Sequence, residues 1–366
     1  MIKKLHNRLA ASLMVLLSST AAAQAEVTVE FWHSFGGSSG EALADIIENF
    51  EAANPDINIE AEHVGNYEDI VTRLQAAIPA RRAPDAVILE VTRYGLFADR
   101  GALIDLTSYL DADPLGDDLY DFAREVGVYE GKNYIIPFNS STPVLYYNRD
   151  ILERAGITEE PDLETFADVE RVAQQVQDAL GDQGVFGIAA PGQFARWGLV
   201  MGNDSNLIMF NSTGNYGDAF SALGEDLAVR PMPCNKTCSV PIGGAGIGIL
   251  ASAEKEVQDA AYQFISFAAS AQSNAAWFSA TGYMPINRNT PDQPLAIQAL
   301  AENPGIDTAI NQLDFAQGRP RPPVVTWMRT GEYDIWEAVA LGQREVREAL
   351  SDFADRTRAE ADRLAR

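Results

Sequence analysis

After residue 26, the apolar residues form two kinds of pattern that follow one another along the chain. Short stretches are apolar at every position or at every second one, and between them lie stretches in which apolar residues recur at helical spacing. Strands are predicted at residues 27–32, 57–61 and 86–91, and helices at 42–50 and 67–78. The strand–helix–strand–helix–strand order predicts a mostly parallel sheet covered by helices.

The pattern starts again after Pro137. Further strands are predicted at 144–148, 185–190, 206–210 and 247–250, and further helices at 149–155, 163–180, 256–269 and a charged stretch at 333–366. Residues 103–110 are predicted to form a short helix or a loop. We therefore predict an α/β fold of two units, between which the chain crosses more than once, and a length of 366 residues suits two domains.

The first 25 residues have the features of a secretory signal peptide. Lys3, Lys4 and Arg8 precede an apolar run at 9–17, and a small-x-small cleavage site ends at Ala25. A membrane anchor is the alternative, but the run is too short to span a bilayer. We expect export to the periplasm as a soluble protein.

Acidic residues outnumber basic ones by 52 to 27, and loss of the three basic signal residues takes the net charge from −25 to −28. This charge excludes nucleic acid and anionic lipid as partners, because both need basic groups. Cys234 and Cys238 flank a polar loop, and in an exported protein we interpret them as a structural disulfide. A redox pair or a metal pair is the alternative, although two thiols without a neighbouring His make a poor zinc site.

No motif in the sequence demands catalysis. The glycines of 243–248 lack the flanking strand, the helix and the acidic partner of a nucleotide site. There is no Gly-x-Ser-x-Gly motif, and His33 is interpreted as structural. We predict a non-enzyme with no metal and no cofactor; a secreted glycoside or phosphodiester hydrolase is the alternative, because carboxylates are plentiful.

Several motifs follow one another from residue 26 to about residue 350. They are Phe31-Trp-His-Ser34, Asn54-Pro55, Gly65-Asn-Tyr-Glu68, Pro137-Phe-Asn-Ser-Ser-Thr-Pro-Val-Leu-Tyr-Tyr-Asn148, Ile242-Gly-Gly-Ala245, Thr281-Gly-Tyr-Met-Pro-Ile286 and Asn303-Pro-Gly305. In this order they resemble family 1 of the extracellular solute-binding proteins of ABC importers, and within it the glycerol-3-phosphate and glycerophosphodiester branch.

The resemblance implies a two-lobe periplasmic-binding-protein-like fold with a ligand cleft that closes by hinge motion. Lobe one would comprise residues 26–138 and 249–320, and lobe two residues 139–248 and 321–366. The family usually has a longer stretch between about 200 and 206, with additional helices, so the second lobe is predicted to be shortened here. Such a lobe would expose apolar surface or have a more open cleft.

The resemblance also implies a ligand site. Its residues would be Tyr67, Glu90, Ser141, Ser212, Gly244, Tyr283 and Trp197. The carboxylate and hydroxyls suit a polyol, the aromatic rings can cover C–H faces, and the glycine lets backbone approach the ligand.

Each of these residues also has a purely structural interpretation. Tyr67 and Glu90 would be a surface aromatic and a strand-end charge. The two serines would be caps or turn residues. Gly244 would be a turn glycine, and Tyr283 and Trp197 would belong to the core.

One departure from the branch concerns its phosphate-pairing arginine. That position aligns here with Trp336 when a gap is allowed, and Arg329 corresponds to a different position. Without that bidentate partner of a phosphate, a neutral polyol, a glycoside or a differently held anion becomes a candidate.

The resemblance finally implies a monomeric periplasmic binding protein. It would deliver a glycerol phosphate, a glycerophosphodiester or a related polyol or glycoside to the permease subunits of an ABC importer. A non-transporting receptor or a decayed paralogue is a further alternative.

Overall fold

The computed structural model describes residues 27–189, 206–312, 315–319 and 324–364. The signal segment 1–25, Trp197 and the stretch at 200–205 lie outside them. In chain order the strands are β1 (Val27–His33), β2 (Ile57–His63), β3 (Ala86–Glu90), β4 (Val128–Tyr129), β5 (Lys132–Asn133), β6 (Ile136–Ser141), β7 (Pro143–Asn148), β8 (Phe186–Ala189), β9 (Asn206–Ser212), β10 (Leu227–Arg230), β11 (Val240–Pro241), β12 (Gly243–Ile249) and β13 (Ala316–Gln317).

The α-helices accompany these strands along the chain. They are α1 (Gly37–Ala53), α2 (Tyr67–Ala80), α3 (Gly95–Ala98), α4 (Thr107–Ala112), α5 (Leu115–Asp118), α6 (Asp121–Val126), α7 (Arg149–Arg154), α8 (Phe166–Leu180), α9 (Tyr216–Leu223), α10 (Lys255–Ala268), α11 (Ala271–Thr281), α12 (Pro294–Glu302), α13 (Thr308–Asn311), α14 (Val325–Ala340) and α15 (Val346–Leu364). Short 3-10 turns lie at Gly181–Gln183, Thr213–Asn215, Gly224–Asp226 and Thr290–Asp292.

Two sheets organise the chain. The first has the order β2-β1-β3-β12-β6, with β1 parallel to β2 and β3, and β12 antiparallel to β3 and β6. The second has the order β10-β7-β9-β8, with β7 antiparallel to both neighbours and β8 parallel to β9. The mostly parallel arrangement predicted for the first unit is confirmed apart from β12, whereas the second sheet is mainly antiparallel.

The hydrophobic cores lie against the faces of these two sheets. The largest surrounds the first sheet. Along β7, Leu145 and Tyr147 enter a core shared with α8, while Val144 and Tyr146 enter another shared with α11 and α12. Successive strand residues point to opposite faces, so a continuous apolar run such as 144–147 serves a sheet that is covered on both sides.

Several helices begin at residues that satisfy free backbone N–H groups. Asn66 and Asp69 form a reciprocal capping box at the start of α2, and Thr165 and Asp168 form another at the start of α8. The α2 cap matters for the site, because it fixes Tyr67 as the first residue of the helix.

The glycine-rich run at 243–248 forms strand β12, between β3 and β6. The sequence pattern predicted only its apolar end, at 247–250. Gly244 has φ +111°, and a Cβ there would lie 2.0 Å from the Asn139 carbonyl oxygen. The glycines therefore let a central strand lie close to β6, which a side chain at this position would prevent.

The strands cross the lobe boundaries implied by the resemblance. β6 and β12 stay in the first sheet over their whole length, although boundaries were expected at 138/139 and 248/249. In addition, α12 packs on a second-sheet core through Ala296 and Ala299, although residues 249–320 were expected in lobe one. We propose that the crossings lie at Thr142 and just before Gly243.

Cys234 and Cys238 are joined by a disulfide, with Cα atoms 4.8 Å apart. The Cys234 N–H donates to the Glu164 carbonyl at 2.8 Å, which ties the loop to the start of α8. Within the described ranges, no helix is both long enough and apolar enough to cross a bilayer.

Candidate functional site

Three strands of the first sheet meet at one edge. Glu90 ends β3, Ser141 ends β6, and Gly243 begins β12, which pairs with both. In open α/β sheets, ligands bind outside the carboxyl ends of the parallel strands. The structure thus brings Glu90, Ser141 and Gly244 of the sequence-predicted site to the edge where a ligand is expected.

Tyr67 joins this edge from the start of α2. Its hydroxyl accepts a hydrogen bond from the Asn139 amide at 3.2 Å. Burial of the hydroxyl, followed by the proximity of Tyr283, raises the pKa of Tyr67 well above its usual value. The phenol therefore stays protonated at physiological pH and can donate a hydrogen bond to a ligand.

Tyr283 connects the first sheet with the second lobe. It follows α11, and the next residue, Met284, donates its N–H to the Ser140 carbonyl at 2.7 Å. One face of the Tyr283 ring stacks on Trp277 with 5.7 Å between ring centroids. The ring also lies against Gly214, where a Cβ would come within 2.3 Å of it. Tyr283 thereby contacts both lobes.

Ser212 has a structural role in this structure. Its Oγ accepts the Gly214 N–H at 3.2 Å, and its carbonyl accepts the Tyr146 hydroxyl at 2.9 Å. These bonds match the cap interpretation, and a ligand contact by Ser212 stays a prediction. Trp336 lies in α14, and its side chain, like that of Arg329, is outside the described part of the chain.

Glu90 is 5% exposed and surrounded by donors. It accepts hydrogen bonds from the Thr92 hydroxyl and from Arg93 Nε, both at 2.9 Å. Arg319 Nη1 lies 3.6 Å from its other carboxylate oxygen. The site thus contains two guanidinium groups beside one buried carboxylate, a feature that the sequence motifs did not indicate.

Buried polar atoms with no hydrogen-bond partner among the described residues cluster near this edge. They include Asn139 Oδ1 and Ser140 Oγ on β6 and Thr213 Oγ1 from the second lobe. Such atoms are rare in folded proteins because each loses its hydration without compensation. Their presence beside Ser141 marks a polar environment suited to a hydroxylated ligand.

His33 ends β1, next to Ser34. Burial, and then the nearby His63, lower the pKa of His33 to about 4, while its Nδ1 accepts the Phe35 N–H at 3.2 Å. The unfolded imidazole takes up a proton near pH 6.5 and the folded one only near pH 4. The unfolded state therefore binds more protons between these values, and stability falls as the pH drops through this window.

We expect the free energy of unfolding to fall by about 2 kcal/mol from pH 6.5 to pH 4. Solvent near the imidazole makes this smaller than the full pKa difference would give. The His33→Gln variant should lose that part of the pH dependence in urea denaturation series. The His63→Gln variant, altered at the exposed partner, should keep most of it. Equal slopes for wild type and His33→Gln would contradict the assignment.

The sequence analysis missed four residues of the site. Asn139 lies inside a quoted motif and Arg93 is three residues after Glu90, so both had a local signal. Trp277 and Arg319 arrive from distant parts of the chain, and no sequence pattern connects them with the site.

Comparison with known proteins shows the family to which the chain belongs. The profile of the bacterial extracellular solute-binding protein family matches residues 36–275, so the chain belongs to this family. Within it, the chain resembles the glycerol-3-phosphate-binding branch. It is 25% identical to the sn-glycerol-3-phosphate-binding periplasmic proteins UgpB of Escherichia coli K12 and of Shigella dysenteriae serotype 1, over 97% of each chain.

Solved structures agree on the fold. UgpB from Mycobacterium tuberculosis in complex with glycerophosphocholine has a TM-score of 0.83 at 21% identity, covering 93% of this chain and 99% of that chain. Maltose-bound MalE3 of T. maritima has a TM-score of 0.78 at 18% identity, covering 91% and 99%. The predicted two-lobe α/β fold is therefore confirmed.

Proposed function

We propose that this protein is the solute receptor of an ABC importer and binds a glycerol phosphate or a glycerophosphodiester between its lobes. The observation that carries the proposal is the meeting of Tyr67, Glu90 and Ser141 at one sheet edge, with Tyr283 reaching the second lobe. Relatives of this branch are named for sn-glycerol 3-phosphate, and one structural neighbour contains glycerophosphocholine.

The chemistry of the edge suits such a ligand. Aromatic rings can cover the C–H faces of glycerol, while the carboxylate and hydroxyl groups bind its hydroxyls. Two guanidinium groups, from Arg93 and Arg319, lie beside the Glu90 carboxylate and offset its charge, so this carboxylate does not repel an anionic ligand.

Binding is proposed to act on the hinge. A ligand held at the first-sheet edge and against the Tyr283–Gly214 contact would favour the closed state, which the permease recognises. In this proposal residues 1–25 are removed on export to the periplasm, and the mature protein works as a monomer by binding alone, without catalysis.

A thermal-shift series on the wild-type protein tests the ligand class. We expect sn-glycerol 3-phosphate and glycerophosphocholine to raise the melting temperature, because a ligand at a hundred times its Kd stabilises the folded state by about 2.7 kcal/mol. Glycerol and maltose serve as neutral controls. Stabilisation by maltose alone would replace the proposal with a saccharide receptor. If no compound raises the melting temperature and native mass spectrometry finds no bound mass, the proposal that the protein is a solute receptor is wrong.

A further inference from the structure

Arg319 lies close to the points where the chain passes between the two sheets. It follows β13, which pairs in parallel with β11, and Ile242 donates its N–H to the Gln317 carbonyl at 2.8 Å. Nearby, Gln312 Nε2 donates to the Pro143 carbonyl at 2.8 Å. The segment that carries Arg319 is thus tied to both points where the chain crosses between the sheets.

Arg319 shares a buried carboxylate with a second guanidinium. Arg93 and Glu90 are both buried, with side chains 4% and 6% exposed, and neutralise one another at 2.9 Å. The other partner of Arg93 is Glu68, whose side chain is 58% exposed. Arg319 adds a second guanidinium, 29% exposed, to the same carboxylate. A partly exposed guanidinium at a cleft can pair with an anionic group of a ligand.

Gly243 allows Arg319 and Ser141 to approach the same point of the strand. A Cβ on Gly243 would lie 2.9 Å from Arg319 Nη2 and 3.0 Å from Ser141 Oγ. A planar guanidinium and a hydroxyl that converge in this way offer several donors to neighbouring oxygens of one phosphate group.

We propose that Arg319 is the residue that selects a phosphate-bearing ligand over a neutral polyol in this protein. The inference rests on the proposed function and deepens it. It also gives the site a cation that does not depend on α14, where the branch arginine aligns with Trp336.

Isothermal titration with sn-glycerol 3-phosphate compares wild type, Arg319→Gln and Arg319→Lys. We expect Arg319→Gln to weaken binding about ten- to hundredfold, the usual range for a lost charge-assisted hydrogen bond. Arg319→Lys keeps the charge but loses the two parallel donors of the guanidinium, so its affinity should lie between those of wild type and Arg319→Gln. The control Arg363→Gln removes the same charge from a side chain that is 68% exposed on α15, and should bind like wild type.

The salt dependence of the affinity and a variant at Gly243 distinguish an effect of charge on binding from an effect on folding. Affinity of the wild type should fall as NaCl rises, and Arg319→Gln should show a flatter response. Gly243→Ala would displace only the ends of two side chains, so it should fold normally and still weaken phosphate binding. Its melting temperature without ligand checks that folding is intact.

The outcomes distinguish the inference from the proposed function. If wild type binds glycerol 3-phosphate and Arg319→Gln binds it within threefold, the inference is wrong while the function stands. If wild type binds only neutral compounds, both are wrong. If Arg319→Gln loses the phosphate ligand and Arg363→Gln does not, the inference is supported.

Discussion

The Trp277→Ala variant is expected to lose about 3–5 kcal/mol of unfolding free energy, the range for removing a large aromatic side chain from a core. Trp277 is fully buried. Its ring centroid lies 4.9 Å from that of Phe35, 4.5 Å from Phe138 and 5.7 Å from Tyr283. Urea denaturation followed by circular dichroism measures the change.

Two further variants identify the cause. Trp277→Phe keeps an aromatic ring and removes an indole N–H that has no partner among the described residues, so a much smaller loss is expected. Leu350→Ala truncates a side chain that is 55% exposed on α15, and should change stability by less than about 0.5 kcal/mol. A Trp277→Ala loss no larger than that of Leu350→Ala would contradict a core role.

The helix that carries Trp277 was absent from the sequence-based prediction. In α11 the buried residues are Ser273, Asn274, Ala275, Trp277, Phe278 and Thr281; half of them are polar, so the buried side carries no continuous apolar stripe. The helix lies between the cores of both lobes: Trp277 belongs to one and Phe278 to the other. A helix whose buried side mixes polar with apolar residues has no amphipathic period, so pattern reasoning cannot find it.

Elements whose buried face is entirely apolar were predicted well for the same reason. Helix α8 buries Val169, Val172 and Val176 on one side, and its prediction at 163–180 overlaps the observed Phe166–Leu180. Strand β12 shows the opposite case. Its glycines carry no side-chain pattern, and their role depends on the close approach of β6, which only the folded chain reveals.

The candidate site divides in a similar way. Tyr67, Glu90 and Ser141 lie in or next to local motifs, at a capped helix start and at two strand ends. The placement of Arg319 depends on pairing between β11 and β13, a long-range contact that one sequence does not encode in any local spacing. The cation of the site therefore emerged only from the structure.

Replacing Glu90 with glutamine is expected to cost about 3–5 kcal/mol, because two guanidinium groups lose the buried carboxylate that they share. In this variant Arg93, 4% exposed, keeps its contact with Glu68, whereas the carboxylate between Arg93 and Arg319 is gone. Urea denaturation at neutral pH measures the loss.

The surface pair Glu62–Arg73 provides the matched control. Its side chains are 50% and 43% exposed, so Glu62→Gln should cost less than about 1 kcal/mol. If the cost at Glu90 arises from surplus positive charge, the Glu90→Gln/Arg319→Gln double variant should regain part of the lost stability. Equal losses for Glu62→Gln and Glu90→Gln would show that Glu90 is not a buried counter-ion. Glu90 would then contribute through a ligand contact alone. If instead Glu90→Gln costs far more than Glu62→Gln and the double variant regains stability, the same carboxylate neutralises the arginine that is proposed to bind the phosphate.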